Sequence, residues 1–203
     1  MRYAIVVNLD RCVGCRGCEV ACKQENGIPL GERWNKVIEC GPYGEYPDMS
    51  MYFIPVMCQQ CEDAPCVNNC PTGASYRDPQ TNTVLVNKEL CIGCKYCMIA
   101  CPYGVRQWHE EEHCVEKCTL CSHLTINGEL PMCVRTCAAG ARFYGDLDDP
   151  DSDAARALAQ APEGSVYTLT DVGNHPATHY ILPQSRAEWH PDEGGRLMFN
   201  DYE

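Results

Sequence analysis

Sixteen of the eighteen cysteines in this 203-residue chain fall into four groups of four, and no other feature limits the fold so tightly. The groups are Cys12, Cys15, Cys18 and Cys22; Cys58, Cys61, Cys66 and Cys70; Cys91, Cys94, Cys97 and Cys101; and Cys118, Cys121, Cys133 and Cys137. Thiols this dense serve disulfides, zinc or iron–sulfur clusters. Large disulfide counts belong to short chains with a secretion signal. Here residues 1–8 read as a strand and lack the apolar core of such a signal, so no signal of the chain's own is expected. Structural zinc usually pairs two Cys-x2-Cys knuckles across a longer spacer. Three of these groups instead place three cysteines within seven to nine residues and add a fourth four residues later.

Composition makes the thiols indispensable. Leu, Ile, Val and Phe amount to only about 18% of the chain, and the formal net charge is −12. Without metal that balance resembles a disordered chain. Ligation can supply folding free energy that a thin apolar core cannot, so the metal-free chain is expected to fold poorly. The negative charge and scattered basic residues disfavour nucleic acid. No stretch reaches the ~20 apolar residues that span a bilayer.

The third group, with Pro102 after Cys101, matches the bacterial ferredoxin run C-x2-C-x2-C-x3-C-P, in which the fourth cysteine serves the other cluster of a pair. Applied to groups two and three, the crossed rule gives set B (Cys58, Cys61, Cys66 and Cys101) and set C (Cys91, Cys94, Cys97 and Cys70). Groups one and four then pair as set A (Cys12, Cys15, Cys18 and Cys137) and set D (Cys118, Cys121, Cys133 and Cys22). Four [4Fe–4S] clusters are expected, with iron held by these sixteen cysteines and electrons moved one at a time.

The expected fold class is α+β. Two interlocked bacterial-ferredoxin-like units, each with two clusters, combine short strands, hairpins and short helices with much irregular chain. The outer unit takes residues 1–24 and 102–147, and the inserted unit takes 53–101. Strands are expected over 2–9, 51–56, 75–77, 83–87, 166–169 and 179–182. Short helices are expected over 19–24, 67–69, 98–100 and 154–160. Residues 25–52 read as an insertion, with Trp34, Tyr43, Tyr46 and Tyr52 either docking a partner or covering a cluster. Residues 148–203 should hold a helix, strands and, from 189, a polar tail.

Several segments resemble a known family: residues 1–22; Cys58-Gln-Gln-Cys-Glu-Asp-Ala-Pro-Cys66; Cys70-Pro-Thr-Gly-Ala-Ser-Tyr76; Cys101-Pro-Tyr-Gly104; 117–121; and Phe143-Tyr-Gly-Asp-Leu147. With the four spacings in this order, the chain resembles the iron–sulfur subunits of the DMSO reductase family of molybdenum enzymes. Within it, the likeness is to the small subunits of polysulfide, thiosulfate and arsenate reductases and of pyrogallol transhydroxylase, over about residues 1–182. The resemblance implies a non-catalytic electron-transfer subunit. Its partner would be a large catalytic subunit carrying molybdopterin guanine dinucleotide with molybdenum or tungsten, with or without a quinol-oxidising membrane anchor. It also implies membrane association through partners, on the extracytoplasmic face by co-export; a cytoplasmic location is the alternative. A free-standing polyferredoxin and the electron subunit of a hydrogenase or formate-type complex remain alternatives. Some family members replace a ligand, whereas all sixteen positions here are cysteine. Proline follows Cys70 and Cys101 but not Cys22 or Cys137, so the outer pair should differ in shielding.

His109-Glu-Glu-Glu-His113 fits H-E-x-x-H, but that motif needs a helix and a third ligand, and a connecting loop is expected here. Cys40 and Cys114 are expected to be buried thiols outside the ligand sets. No catalytic residue is expected.

Overall fold

The computed structural model describes residues 1–190. Its elements run β1 (Tyr3–Asn8), α1 (Gly17–Asn26), β2 (Lys36–Tyr43), β3 (Ser50–Val56), α2 (Pro65–Asn68), β4 (Ser75–Arg77), β5 (Val84–Val86), α3 (Tyr96–Ile99), β6 (Gln107–His109), β7 (Cys114–Glu116), α4 (Ser122–Thr125), α5 (Met132–Arg135), β8 (Arg142–Asp146), α6 (Asp153–Ala159), β9 (Val166–Tyr167) and β10 (His179–Ile181). These elements make a small mixed α and β body in which short elements alternate with cysteine loops.

One sheet of four strands runs in the order β8-β1-β10-β9. Strand β1 is central: it pairs antiparallel with β8 and parallel with β10. Its run Tyr-Ala-Ile-Val-Val-Asn is buried from Ala4 to Val7 because both faces are covered. Alternate side chains leave a strand on opposite sides. Ile5 and Val7 enter the main core, while Val6 meets Ala154 of α6 and Ile181 of β10. Helix α6 starts where Ser152 Oγ accepts the Ala155 N–H at 3.1 Å, an N-cap of the usual kind.

Three hairpins complete the strands: β2–β3, β4–β5 and β6–β7. The last of these replaces the loop expected around His109, with Gln107 opposite Glu116 and His109 opposite Cys114. Residues 25–52 also carry more structure than the sequence suggested. Strand β2 pairs with β3 from Lys36↔Val56 to Tyr43↔Ser50, with an irregularity between Cys40 and Tyr43. Trp34, Ile38, Cys40 and Tyr52 are core residues, so much of this segment covers the interior. Tyr46, at 89% exposure, faces solvent.

The main core mixes Ile5, Val7, Ile54, Tyr180 and Leu182 with Cys22, Cys58, Cys118 and Cys133. Thiols thus occupy positions that aliphatic side chains fill in other small domains. Trp189 stacks on Tyr167 at 5.2 Å and Tyr180 at 5.7 Å, closing one side of that core. The remainder of the expected tail, residues 191–203, lies outside the described residues.

Candidate metal centres

The second residue between the first two cysteines has a positive φ in every group: Gly14 (65°), Gln60 (50°), Gly93 (67°) and Leu120 (54°). This left-handed position curls each loop round a common centre. Glycine is required at two of them for a further reason. A Cβ on Gly14 would lie 2.5 Å from the Phe53 ring, and one on Gly93 would lie 2.9 Å from Trp108. Arg16 and Lys95 then adopt φ 58° and end the loops where α1 and α3 begin. The helices therefore start at or before the third cysteine rather than after it, as the sequence suggested.

Packing brings the groups together in two pairs. Helix α1, with Cys18 and Cys22, packs on α5, with Cys133; helix α2, with Cys66, packs on α3, with Cys97. Burial, then the like charges of Cys118, Cys133 and Cys121, push the Cys22 thiol far above its usual range. Burial pushes Cys61 up to about 12, with Cys58, Cys101 and Cys66 adding to it. Burial also raises Cys12, aided by Cys18 and Cys137. A small cavity is lined by Cys70, Cys91, Cys94 and Cys97 together with Ser75 and Arg106. Cys15 and Cys94 are exposed, whereas Cys22, Cys118, Cys121 and Cys133 are all buried. The Cys118 thiol, pushed up to about 12 by burial first, also feels Cys133 and Cys58.

Hydrogen bonds to sulfur add to this. Backbone N–H groups of Ser75, Ala141 and Leu120 reach Cys70, Cys137 and Cys118 Sγ at 3.3, 3.3 and 3.4 Å. Asn174 Nδ2 donates to Cys61 Sγ at 3.0 Å and to the Tyr103 hydroxyl at 2.8 Å. Asn26 Nδ2 lies 3.8 Å from Cys22 Sγ and 4.0 Å from Cys121 Sγ. For Cys70, donors from Ser75 and Thr72 outweigh burial and lower the thiol pKa.

These sets suit an iron–sulfur core better than a single metal. Mutual repulsion among buried sulfurs is what a bound cationic core would relieve. Among the described residues the one trio of His, Cys, Asp or Glu ligand atoms within 4.8 Å of one another is His109, Glu112 and Glu116, which contains no cysteine. Zinc, at ≈ 2.3 Å from each sulfur, would hold its sulfurs about 3.8 Å apart. Wider sets suit a core in which each sulfur meets a different iron.

The His109 trio already has a cation. Lys88 Nζ pairs with Glu112 and, at 2.5 Å, with Glu116. His109 and His113 stand on and beside a β-hairpin, not on one helix face, so the H-E-x-x-H reading finds no support. Cys40 and Cys114 are buried at 0% and 1% exposure. Arg16 pairs with Glu39 at 3.0 Å, and Lys95 Nζ sits 4.1 Å over the Trp108 ring.

Sequence reasoning missed Asn26, Asn174, Arg106 and Arg142. The asparagines had no signal, since they reach sulfur only through the fold. The arginines had one, because each lies five residues after a group's last cysteine.

Comparison with known proteins gives the same picture. Residues 49–147 match the family model for a 4Fe-4S dicluster domain. The chain is 42% identical over 163 residues to protein NrfC of Escherichia coli K12, covering 80% of this chain and 73% of that protein. It is 38% identical over 212 residues to the B subunit of sulfite dehydrogenase from Allochromatium vinosum, covering 94% and 87%. It is 36% identical over 206 residues to the arsenate respiratory reductase iron-sulfur subunit ArrB of Shewanella sp. ANA-3, covering 78% and 87%.

Proposed function

Because this chain belongs to the iron–sulfur subunits of molybdopterin oxidoreductases, which carry [4Fe–4S] clusters and leave substrate chemistry to another subunit, we propose that its sixteen cysteines hold four clusters in crossed sets, in the order A, D, B, C. When bound, the clusters supply one-electron redox chemistry. The chain's own part is to fix their order, wrap their sulfurs and exclude water between them.

The observation that carries the order is charge proximity between sets, beside the packing of α1 on α5 and α2 on α3. Cys18 of set A and Cys133 of set D share Arg142 as a charge neighbour. Cys118 of set D feels Cys58 of set B. Cys66 of set B and Cys97 of set C share Arg106. The two exposed thiols, Cys15 and Cys94, belong to sets A and C, at opposite ends of this row. Val13 and Ile92, each following the first cysteine of its group, stand beside them at 67% and 66% exposure. One end would face the catalytic subunit's cofactor and the other an electron donor or acceptor.

The interlocked two-unit plan follows from the same pairing. Residues 1–24 and 102–147 form the A/D unit, and 53–101 form the B/C unit. Leu30 and Tyr46, at 95% and 89% exposure, make residues 25–52 a candidate contact with the large subunit. Among the described residues no helix is long and apolar enough to cross a membrane. Membrane association would come through partners, including a quinol-handling anchor, on the extracytoplasmic face after co-export.

The decisive experiment is anaerobic purification of the complex with metal analysis of the wild type and Cys101→Ser. About sixteen iron per chain and a co-purifying molybdopterin subunit are expected. The substitution should disturb the cluster of Cys58, Cys61 and Cys66. Disturbance of the cluster of Cys91, Cys94 and Cys97 alone would overturn the crossed sets. A monomer serving several unrelated enzymes at similar rates would make this a free polyferredoxin instead.

A further inference from the structure

The residue five positions after the last cysteine is arginine in two groups: Arg106 after Cys101 and Arg142 after Cys137. Both are almost fully buried, at 1% and 4% exposure. A buried guanidinium is costly unless an opposing charge faces it. Here that charge comes from sulfur. Burial works against the Arg106 charge, but Cys66, Cys97 and Cys58 outweigh it. Burial works against Arg142 likewise, and Cys133 and Cys18 outweigh it.

The sulfurs involved follow a pattern. Cys66 and Cys97 are the third cysteines of groups two and three, on the packed helices α2 and α3. Cys18 and Cys133 are the third cysteines of groups one and four, on the packed helices α1 and α5. Each two-cluster unit therefore buries one guanidinium that is a charge neighbour of cysteines from both of its sets, third cysteines among them.

The two sites differ in how the guanidinium is held. Arg142 Nη2 donates to Asn35 Oδ1 at 2.9 Å, and Nη1 to Met57 Sδ at 3.5 Å. Arg106 Nη2 donates to Ser75 Oγ at 2.6 Å, while its Nε and Nη1 have no nitrogen or oxygen partner among the described residues and the guanidinium instead meets the Cys66 and Cys97 sulfurs. Arg106 also lines the cavity formed by Cys70, Cys91, Cys94 and Cys97.

We propose that Arg106 and Arg142 are shared positioning residues, each a fixed positive charge between two cysteine sets that raises the reduction potential of both clusters of its unit together. A reduced cluster carries one more negative charge than an oxidised one. A cation held beside both in a low-dielectric interior favours reduction of either. Because one charge is shared, both potentials of a unit move in the same direction when it is removed.

This inference rests on the crossed sets proposed above. The test uses the intact anaerobic complex with Arg106→Gln, Arg142→Gln and the two lysine variants, followed by iron analysis and EPR-monitored redox titration. Arg106→Gln should lower two of the four potentials, each by about a tenfold change in reduction constant, ~59 mV for one electron. Arg142→Gln should lower the complementary two. Lysine should restore most of each shift. With iron retained, a shift in one cluster alone, in all four equally, or in none overturns the proposal. If a glutamine variant loses iron, its lysine variant decides: full iron and near-native potentials uphold the proposal, and failure of lysine as well overturns it. Iron and cluster number in the unmutated complex test the functional reading separately. Four clusters with unresponsive arginines would sink only this inference.

Discussion

Sets A and C use the same loop geometry as sets D and B but meet very different surroundings. At the ends of the proposed row, Cys15 and Cys94 are exposed and every other ligand is only half-buried. In the middle, all four thiols of set D and two of set B are buried, and Cys22, Cys58, Cys118 and Cys133 belong to the main apolar core. Equal spacing therefore does not imply equal roles. In the proposed row the end sets would give up shielding to come within reach of another protein. The thiols of the proposed inner sets stand where aliphatic core would, and on that reading they would carry most of the structural burden.

The strongest way to break this contrast is to strip iron stepwise with a chelator under anaerobic conditions. Sets A and C should lose iron first with little change in far-UV circular dichroism. Loss from D and B should then unfold the chain, since ligation energy is folding energy. A cooperative melt surviving complete iron removal would show that the aliphatic core suffices alone.

Single ligand changes sharpen it. Cys118→Ser should prevent accumulation of folded subunit, whereas Cys94→Ser should leave a folded chain missing about a quarter of its iron. Similar yields for both variants would erase the distinction between inner and end sets.

A smaller effect is expected at Asn174, which serves only an inner set. Asn174→Ala removes the 3.0 Å N–H···S bond to Cys61 and should lower the potential of one cluster, with iron retained. An unchanged set of four potentials would count against a redox role for this bond.

The smallest effect should ignore the contrast altogether. Burial lowers the pKa of His179 on β10, so the folded state disfavours its protonation. Its contribution to stability is present above about pH 6.5 and is lost as pH falls toward the lowered folded value. Mild acid should therefore lower the melting temperature without selective iron loss, and His179→Gln should blunt that slope.

The cysteine groups stood out by spacing alone, because Cys-x2-Cys opens and Cys-x3-Cys closes all four. Strand β1 was legible from its apolar run, β4 and β5 from the turn residues between them, and α6 from its Ser152 cap. Strand β2 was not, because Gly41 and Pro42 break the alternation and Cys40 carries no hydropathy signal of a strand. The β6–β7 hairpin was hidden by three consecutive glutamates at its turn. The left-handed Gln60 and Leu120 gave no warning either: glycine marks that position in two loops, but here the closing of the loop overrides local preference. The arginines could have been found by aligning the four groups on their last cysteines.

The central place of β1 bears on how the molecule is made. Val6 pairs with Phe143 on one side and His179 on the other, so this strand leaves the ribosome long before either of its neighbours. Contacts this distant are slow to form because the chain must first close a long loop. Group four precedes β8 in the chain, so on the proposed pairing the thiols of sets A and D would all be made, and reachable by whatever delivers iron and sulfide, before the sheet closes. Closing the sheet would then shut the assembled centres in, which would give the nascent chain a natural order of work: load first, seal afterwards.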